Sequence, residues 1–249
     1  MKAVQEWEPS KFLLKQGRLV PTDNPKELGI GSRVVADCMA FQYQKALQQH
    51  ARGRLLDLGC GKVPLYAAYR GLVDDVVCVD WSNSLHGGKH VDFVRDLNQD
   101  LDLEPESFDT VVLSDVLEHI RRPERLLEQV RTLLRPGGAV IVGVPFFYWI
   151  HEEPHDFFRY TRFALTDMAT ASGLEVCSVD EAGGAPEILA DLVGKLMSPV
   201  PLAQRGFVAC ARSLRRTRLG RKLSERTKRR FPLGYMMVAR RPAVSAAHA

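Results

Sequence analysis

Apolar and polar positions fall in blocks along the chain, and the blocks predict a strand–helix succession. Leu55-Leu56-Asp57-Leu58 is an apolar run that stops at Gly59-Cys60-Gly61. A run of this length, ended at once by glycine, reads as a buried parallel strand over 54–58 reaching its carboxyl end. Val76-Val77-Cys78-Val79-Asp80 repeats the pattern and predicts a strand over 75–80. Further runs predict strands over 91–94, 109–113, 139–145, 174–179 and 232–240. Between them the apolar period becomes helical. Val34, Val35, Cys38, Met39, Phe41, Ala46 and Leu47 form a stripe running to His50 behind Ser32, an N-cap residue type. Pro64 and Gly71 bracket a helix over 64–71, and Pro123 opens another over 123–134. Thr161 caps a helix to Ala171, which Gly173 closes, and Glu187–Met197 carries Ile188, Leu189, Leu192, Val193 and Leu196 on one face. Strands alternating with helices predict an α/β sandwich.

The remaining stretches are less regular. Residues 1–31, with Pro9, Pro21, Pro25 and several glycines, read as an extended or loop-rich lead-in. Ser82–His90 reads as an irregular polar loop, and Arg135-Pro136-Gly137-Gly138 as a sharp turn between helix and strand. The reading is one domain: a cap over 1–50, a core over 51–182 and 232–241, a helical insertion over 183–231 and a disordered tail over 242–249.

Composition adds limits. Hydrophobic residues make up 45% and charged residues 26%, ordinary for a soluble domain. Five scattered cysteines form no C-x-x-C pair, so no disulfide framework is expected and a reducing compartment is. Met1–Pro21 lacks an apolar signal core, and no apolar run is long enough to span a bilayer. A cytoplasmic protein is expected. Charge is uneven: residues 201–231 hold eleven Arg or Lys and one acid, Glu225, a net +10 in a chain of net +4, which leaves −6 for the rest. Such a segment suits an anionic partner. Over 205–230 aromatics are almost absent, which disfavours single-stranded nucleic acid. Val208, Leu214, Leu219 and Leu223 among the arginines match an interfacial helix peripheral to a membrane, a solvated helix or a homodimer element.

In open α/β sheets the ligand crevice lies beyond the carboxyl ends of the strands. Gly59 and Gly61 let backbone approach a ligand there, and Asp80, 19 residues past Gly61, is placed for ribose hydroxyls. Trp81 offers a flat face to a purine. Asp57-x-Gly59-x-Gly61 with Asp80, the strand running into Ser114-Asp115-Val116-Leu117-Glu118-His119, and Leu134-x-Pro136-Gly137-Gly138 together resemble the class I S-adenosylmethionine-dependent methyltransferases. Two positions depart from familiar patterns: Pro64 stands where a dehydrogenase would have its third glycine, and Val63 where the methyltransferases often have glycine. The resemblance implies a Rossmann-like, seven-stranded, mostly parallel sheet whose last strand is antiparallel. It implies S-adenosyl-L-methionine as cofactor, held by Asp57, Gly59, Cys60, Gly61, Asp80, Trp81, Asp96, Leu97 and Ser114.

The loop after the fifth core strand, Phe146–Thr161, gathers aromatics and two histidines at the expected mouth of the crevice. His151-Glu152-Glu153-Pro154-His155 fits H-E-x-x-H, but Pro154 forbids the helix a zinc protease needs, and no metal site is assigned. His151 and His155 are the expected bases, since imidazole can take a hydroxyl proton near neutrality. His119, Trp149, Asp156, Arg159 and Tyr160 are expected to bind the acceptor. The loop resembles methyltransferases acting on sugars and cell-surface glycans, so a saccharide hydroxyl, on an acceptor that could be lipid-linked, is the first expectation. A quinone or secondary-metabolite acceptor is the alternative, and a non-catalytic S-adenosylmethionine- or RNA-binding protein the reading from another class.

Overall fold

The succession read from the apolar runs is present in a computed structural model of the chain, which describes residues 1–84 and 88–243. Strands β3 (Arg54–Leu58), β4 (Asp75–Asp80), β5 (Phe93–Val94), β6 (Phe108–Ser114), β7 (Leu134–Pro145), β8 (Glu175–Ala182) and β9 (Gly234–Arg240) form one sheet. Its order is β5-β4-β3-β6-β7-β9-β8. All pairings from β5 to β7 are parallel, while β9 runs antiparallel to both β7 and β8. The order changes direction beside β3, the position where doubly wound sheets open a crevice.

Both faces of the sheet are covered, which is why its central strands are apolar at nearly every position. Leu56, Leu58, Val111, Leu113, Val140 and Val142 pack with α3 (Pro123–Leu133) and α4 (Arg162–Ala171). Leu55, Val112, Ile141 and Val238 pack on the other face with α1 (Arg33–His50) and the N-terminal segment. Thr161 caps α4 through a bond from the Ala164 N–H, 3.2 Å.

Several expectations need correction. Residues 1–31 are not a loop alone: β1 (Phe12–Lys15) and β2 (Arg18–Pro21) pair as a hairpin that buries Phe12 and Leu19. Its turn is Gln16-Gly17, both at positive φ. Ser32 precedes α1 but does not cap it; its Oγ bonds Tyr148 Oη at 3.1 Å instead. Phe41 is exposed rather than part of the buried stripe. The helix after β3 shrinks to α2 (Tyr66–Tyr69) because residues 60–65 are spent on the turn. Arg135–Gly138 lie within β7 as a bulge rather than as a separate turn. Of the loop 82–90, residues 85–87 lie outside the described residues, as does 244–249 of the tail.

The insertion between β8 and β9 holds α5 (Ala185–Leu196), α6 (Pro201–Arg216) and α7 (Arg218–Thr227). The stripe on α5 is inverted relative to expectation. Its inner face carries Ala190 and Gly194 with the acids Glu187 and Asp191, while Leu189, Leu192 and Leu196 point outward. Small residues explain the choice: Gly194 lies against Val208 and Gly31, closer than a leucine would permit.

Candidate active site

Parallel register brings the carboxyl ends of β3, β4 and β6 to one edge, since Leu58 pairs with both Val79 and Leu113. A cleft of about 630 Å³ opens there. One half is walled by Gly59–Lys62, Asp80, Trp81, Asp96, Leu97 and Ser114. Gly59 sits at φ +70 and Gly61 at φ +52, conformations that favour glycine. A Cβ on Gly59 would fall 2.5 Å from Val116, so the close approach to the segment after β6 also needs glycine. Asp80 Oδ2 accepts from the Gly61 N–H (2.9 Å) and Oδ1 from the Trp81 N–H (2.8 Å), so one carboxylate ties the turn to the end of β4. Each oxygen keeps a lone pair for a ligand hydroxyl. Val63 is buried at φ +52. The position where glycine was noted as customary is thus left-handed here too, and a β-branched residue bears the strain.

Asp57 is placed differently from its expected role. It lies behind the turn, not on the cleft wall, and accepts from Tyr69 Oη at 2.8 Å. Burial pushes its carboxyl up to about 7, against the bond from Tyr69.

The other half of the cleft belongs to the end of β6 and to the N-terminal segment. Asp115 follows Ser114 at φ +54 and binds Lys11 Nζ at 2.7 Å. Burial works against the Lys11 charge, but the paired carboxylate prevails and its pKa lies above the ordinary value. Tyr43 Oη reaches Asp115 Oδ1 at 3.4 Å because Gly143 on β7 has no side chain; a Cβ there would lie 2.1 Å from that oxygen. Leu28, Val35, Ala36, Met39 and Leu233 give this half an apolar wall.

Three side chains converge above it. Donor atoms of Glu118, His119 and His151 lie within 4.8 Å of one another, a spacing that a divalent ion could bridge. Glu118 is fully buried, and neither carboxylate oxygen has a hydrogen-bond partner. Its Oε1 is 3.7 Å from His151 Nε2 and 3.8 Å from His119 Nε2. Burial raises the Glu118 pKa. His151 Nδ1 lies 3.3 Å from Asp156 Oδ2, so the ring sits between two carboxylates. Burial would lower the His151 pKa, but Glu118 and then Asp156 outweigh it and raise it above 6.5.

The two expected bases separate. His155 turns its ring edge-on to Trp81, centroids 5.1 Å apart, and does not join Glu118. His119 takes the second place in the cluster, its Nδ1 bound to the His155 carbonyl at 2.9 Å. Of the expected acceptor-binding residues, only His119 lines the cleft. Arg159 is consumed by Asp156, with Nη1–Oδ1 2.5 Å and Nη2–Oδ2 2.7 Å, and by the carbonyls of Tyr148, Trp149 and Phe158. That bond holds the Asp156 carboxyl down at about 2. Tyr160 is buried and donates to the Leu117 carbonyl (2.8 Å), and Trp149 is exposed beneath Lys195. Arg159, Asp156 and Tyr160 are thus engaged within the loop and with the segment after β6. Cleft residues missed in the sequence are Glu118, Lys11 and Asp115. Glu118 carried a signal, an acid set in the apolar run Val116-Leu117-Glu118-His119-Ile120. Lys11 carried none, because its partner is far away in the chain.

A family model described as a methyltransferase domain matches residues 36–179, more than half of the chain. The chain belongs to the class I S-adenosylmethionine-dependent methyltransferases. Among curated relatives, the ubiquinone biosynthesis O-methyltransferase of Paraburkholderia phymatum is 30% identical over 148 residues, covering 49% of this chain and 64% of that protein. The demethylmenaquinone methyltransferase of Clavibacter sepedonicus is 30% identical over 106 residues, 39% of this chain and 43% of the relative. An S-adenosylmethionine-dependent methyltransferase from Mesorhizobium loti superposes with a TM-score of 0.54 at 17% identity, covering 84% of this chain and all of that one, and carries the fold alone. The expected carbohydrate acceptor finds no support in these relatives.

The residues present fit the family's cofactor, S-adenosylmethionine. The glycine turn, the Asp80 carboxylate, the Trp81 ring and Asp96 beside Leu97 supply a close backbone, a hydroxyl acceptor, a flat apolar face and a second acceptor along one wall. Asp96 is exposed and its Oδ1 also accepts from the Asn98 N–H, 2.9 Å.

Proposed function

We propose that this chain methylates a hydroxyl group on a quinol- or catechol-type ring. The observation that carries the reading is His151, which lines the cleft between Glu118 and Asp156. The apolar wall of Leu28, Val35, Ala36, Met39 and Leu233 suits a flat ring or its hydrocarbon substituent better than a saccharide, which would require polar partners along its length. The names of the curated relatives support a quinone-type acceptor, and that of the ubiquinone-biosynthesis relative supports methylation at oxygen.

S-adenosylmethionine supplies an electrophilic methyl group on a sulfonium. The chain's own residues would align the hydroxyl oxygen with it and exclude water. His151, with Nδ1 turned to Asp156, presents Nε2 to take the hydroxyl proton as the oxygen–carbon bond forms. Glu118 steadies the imidazolium that results. Lys11, beside Asp115, places a positive charge near the developing phenolate.

The test is incubation with S-adenosylmethionine and a panel of catechols, prenylated and plain, beside monosaccharides, read by mass spectrometry. The expected result is a catechol heavier by one methyl group. Methylated sugars with untouched catechols would overturn the reading.

A further inference from the structure

The insertion leaves an apolar face uncovered beside the cleft. On α5, Leu189, Leu192 and Leu196 share one side at helical spacing, and Leu196 is 71% exposed. Leu202, at the start of α6, is 83% exposed, and on α7 Leu219 and Leu223 are exposed one turn apart. The insertion also touches the loop that carries His151 at two points. Lys195 Nζ lies 3.6 Å from the Tyr148 ring centroid and 4.8 Å from that of Trp149. Phe231, just beyond α7, meets Phe147 with centroids 6.4 Å apart. Next to Trp149, Ile150 is 70% exposed. A globular protein seldom leaves this many large apolar side chains together unless something covers them.

Charge says what the cover is. Of the eleven basic residues over 201–231, Arg212 is spent on Asp37 and Lys228 on Glu225. Arg218, Arg221, Lys222, Arg226, Arg229 and Arg230 stand exposed around the α7 leucines. Leucines ringed by arginine and lysine fit lipid chains beneath anionic headgroups. A second copy of the chain would bring the same positive segment against itself, at a repulsive cost. Among the described residues no helix is long and apolar enough to cross a membrane, so contact would be at the surface.

We propose that α5–α7 and the Trp149–Ile150 tip form a docking surface for an anionic phospholipid bilayer. The cleft loop then lies against the lipid. If the ring-hydroxyl reading holds, a prenylated acceptor would pass from bilayer to cleft without crossing water. The docking itself stands without that reading, because it is measured without turnover.

The experiment is flotation of the full chain with vesicles of phosphatidylcholine alone or mixed with phosphatidylglycerol. The wild-type protein is expected to float with the mixed vesicles and to be released as salt rises. Each basic residue at an anionic surface is worth about fivefold in partitioning. The triple variant Arg218→Glu, Lys222→Glu, Arg226→Glu should therefore lose at least about a hundredfold. Leu189→Ser with Leu196→Ser and Leu202→Ser should lose about tenfold or more. All these positions are exposed, and S-adenosylhomocysteine binding should be unchanged in both variants, which shows that they fold. No flotation of the wild type, flotation indifferent to both variants, or a solution dimer that the leucine variant dissolves would overturn the proposal.

Discussion

Glu118 has no hydrogen-bond partner and no exposure, so its charge is tolerable only through the imidazoles at 3.7 and 3.8 Å. His151 works as a base only when deprotonated, and its pKa is raised above 6.5, so the rate should climb through a limb above pH 6.5. Glu118→Gln removes the strongest raising partner. The limb should move to lower pH and the limiting kcat should fall about tenfold to a hundredfold; a pH–rate profile reads both, and an unmoved limb would detach Glu118 from the proton transfer. Asp57 offers a contrasting case. Its pKa is about 7 when folded against 3.8 unfolded. Below pH 3.8 both states hold the proton, and as pH rises to 7 the unfolded chain releases it first. The group therefore costs stability progressively, of order 4 kcal/mol once the pH exceeds 7. Asp57→Asn keeps an acceptor for Tyr69 without the charge, so its melting temperature should exceed the wild type's above pH 7 and lose that advantage below pH 4. Asp57 and Asp80 were visible in the sequence as motif positions. What was not visible was which face each would take: Asp80 reaches the cleft wall and Asp57 the core.

At the scale of elements, the loop 146–161 is held by an ion pair of its own and by bonds to the segment after β6 rather than by regular structure. Arg159 clasps Asp156 and three loop carbonyls, and Asp156 in turn bonds the His151 N–H at 2.9 Å. Arg159→Ala should release His151 and reduce methyl transfer at least about tenfold, while S-adenosylhomocysteine affinity, measured by calorimetric titration, stays within about threefold. Equal losses of both would show that the loop also holds the cofactor. The strands of the core were legible because burial on both faces enforces unbroken apolar runs, and β3 and β4 match their expected bounds, 54–58 and 75–80. The β1–β2 hairpin was not, since its signal is a Gln16-Gly17 turn flanked by only four-residue strands. Helix α5 shows a different limit. Its leucine stripe has the right period for a buried face, but the packing selected the small residues Ala190 and Gly194 instead. Periodicity tells that two faces differ, and neighbours decide which one is covered.

Across the whole molecule the cleft has two halves of different origin. The wall made by β3, β4 and β6 follows from the parallel sheet and could be read from local motifs. The half proposed for the acceptor draws on Lys11, α1, Asp115 and the loop around His151, segments distant in the chain, so its residues were found only partly. Two halves built separately should fail separately. The most direct measurement is methyl transfer to a catechol acceptor by His151→Ala, paired with calorimetric binding of S-adenosylhomocysteine to the same protein. Turnover is expected to fall at least about a hundredfold while binding stays within about threefold of wild type. Turnover at the wild-type rate, or loss of turnover together with loss of binding, would contradict this expectation.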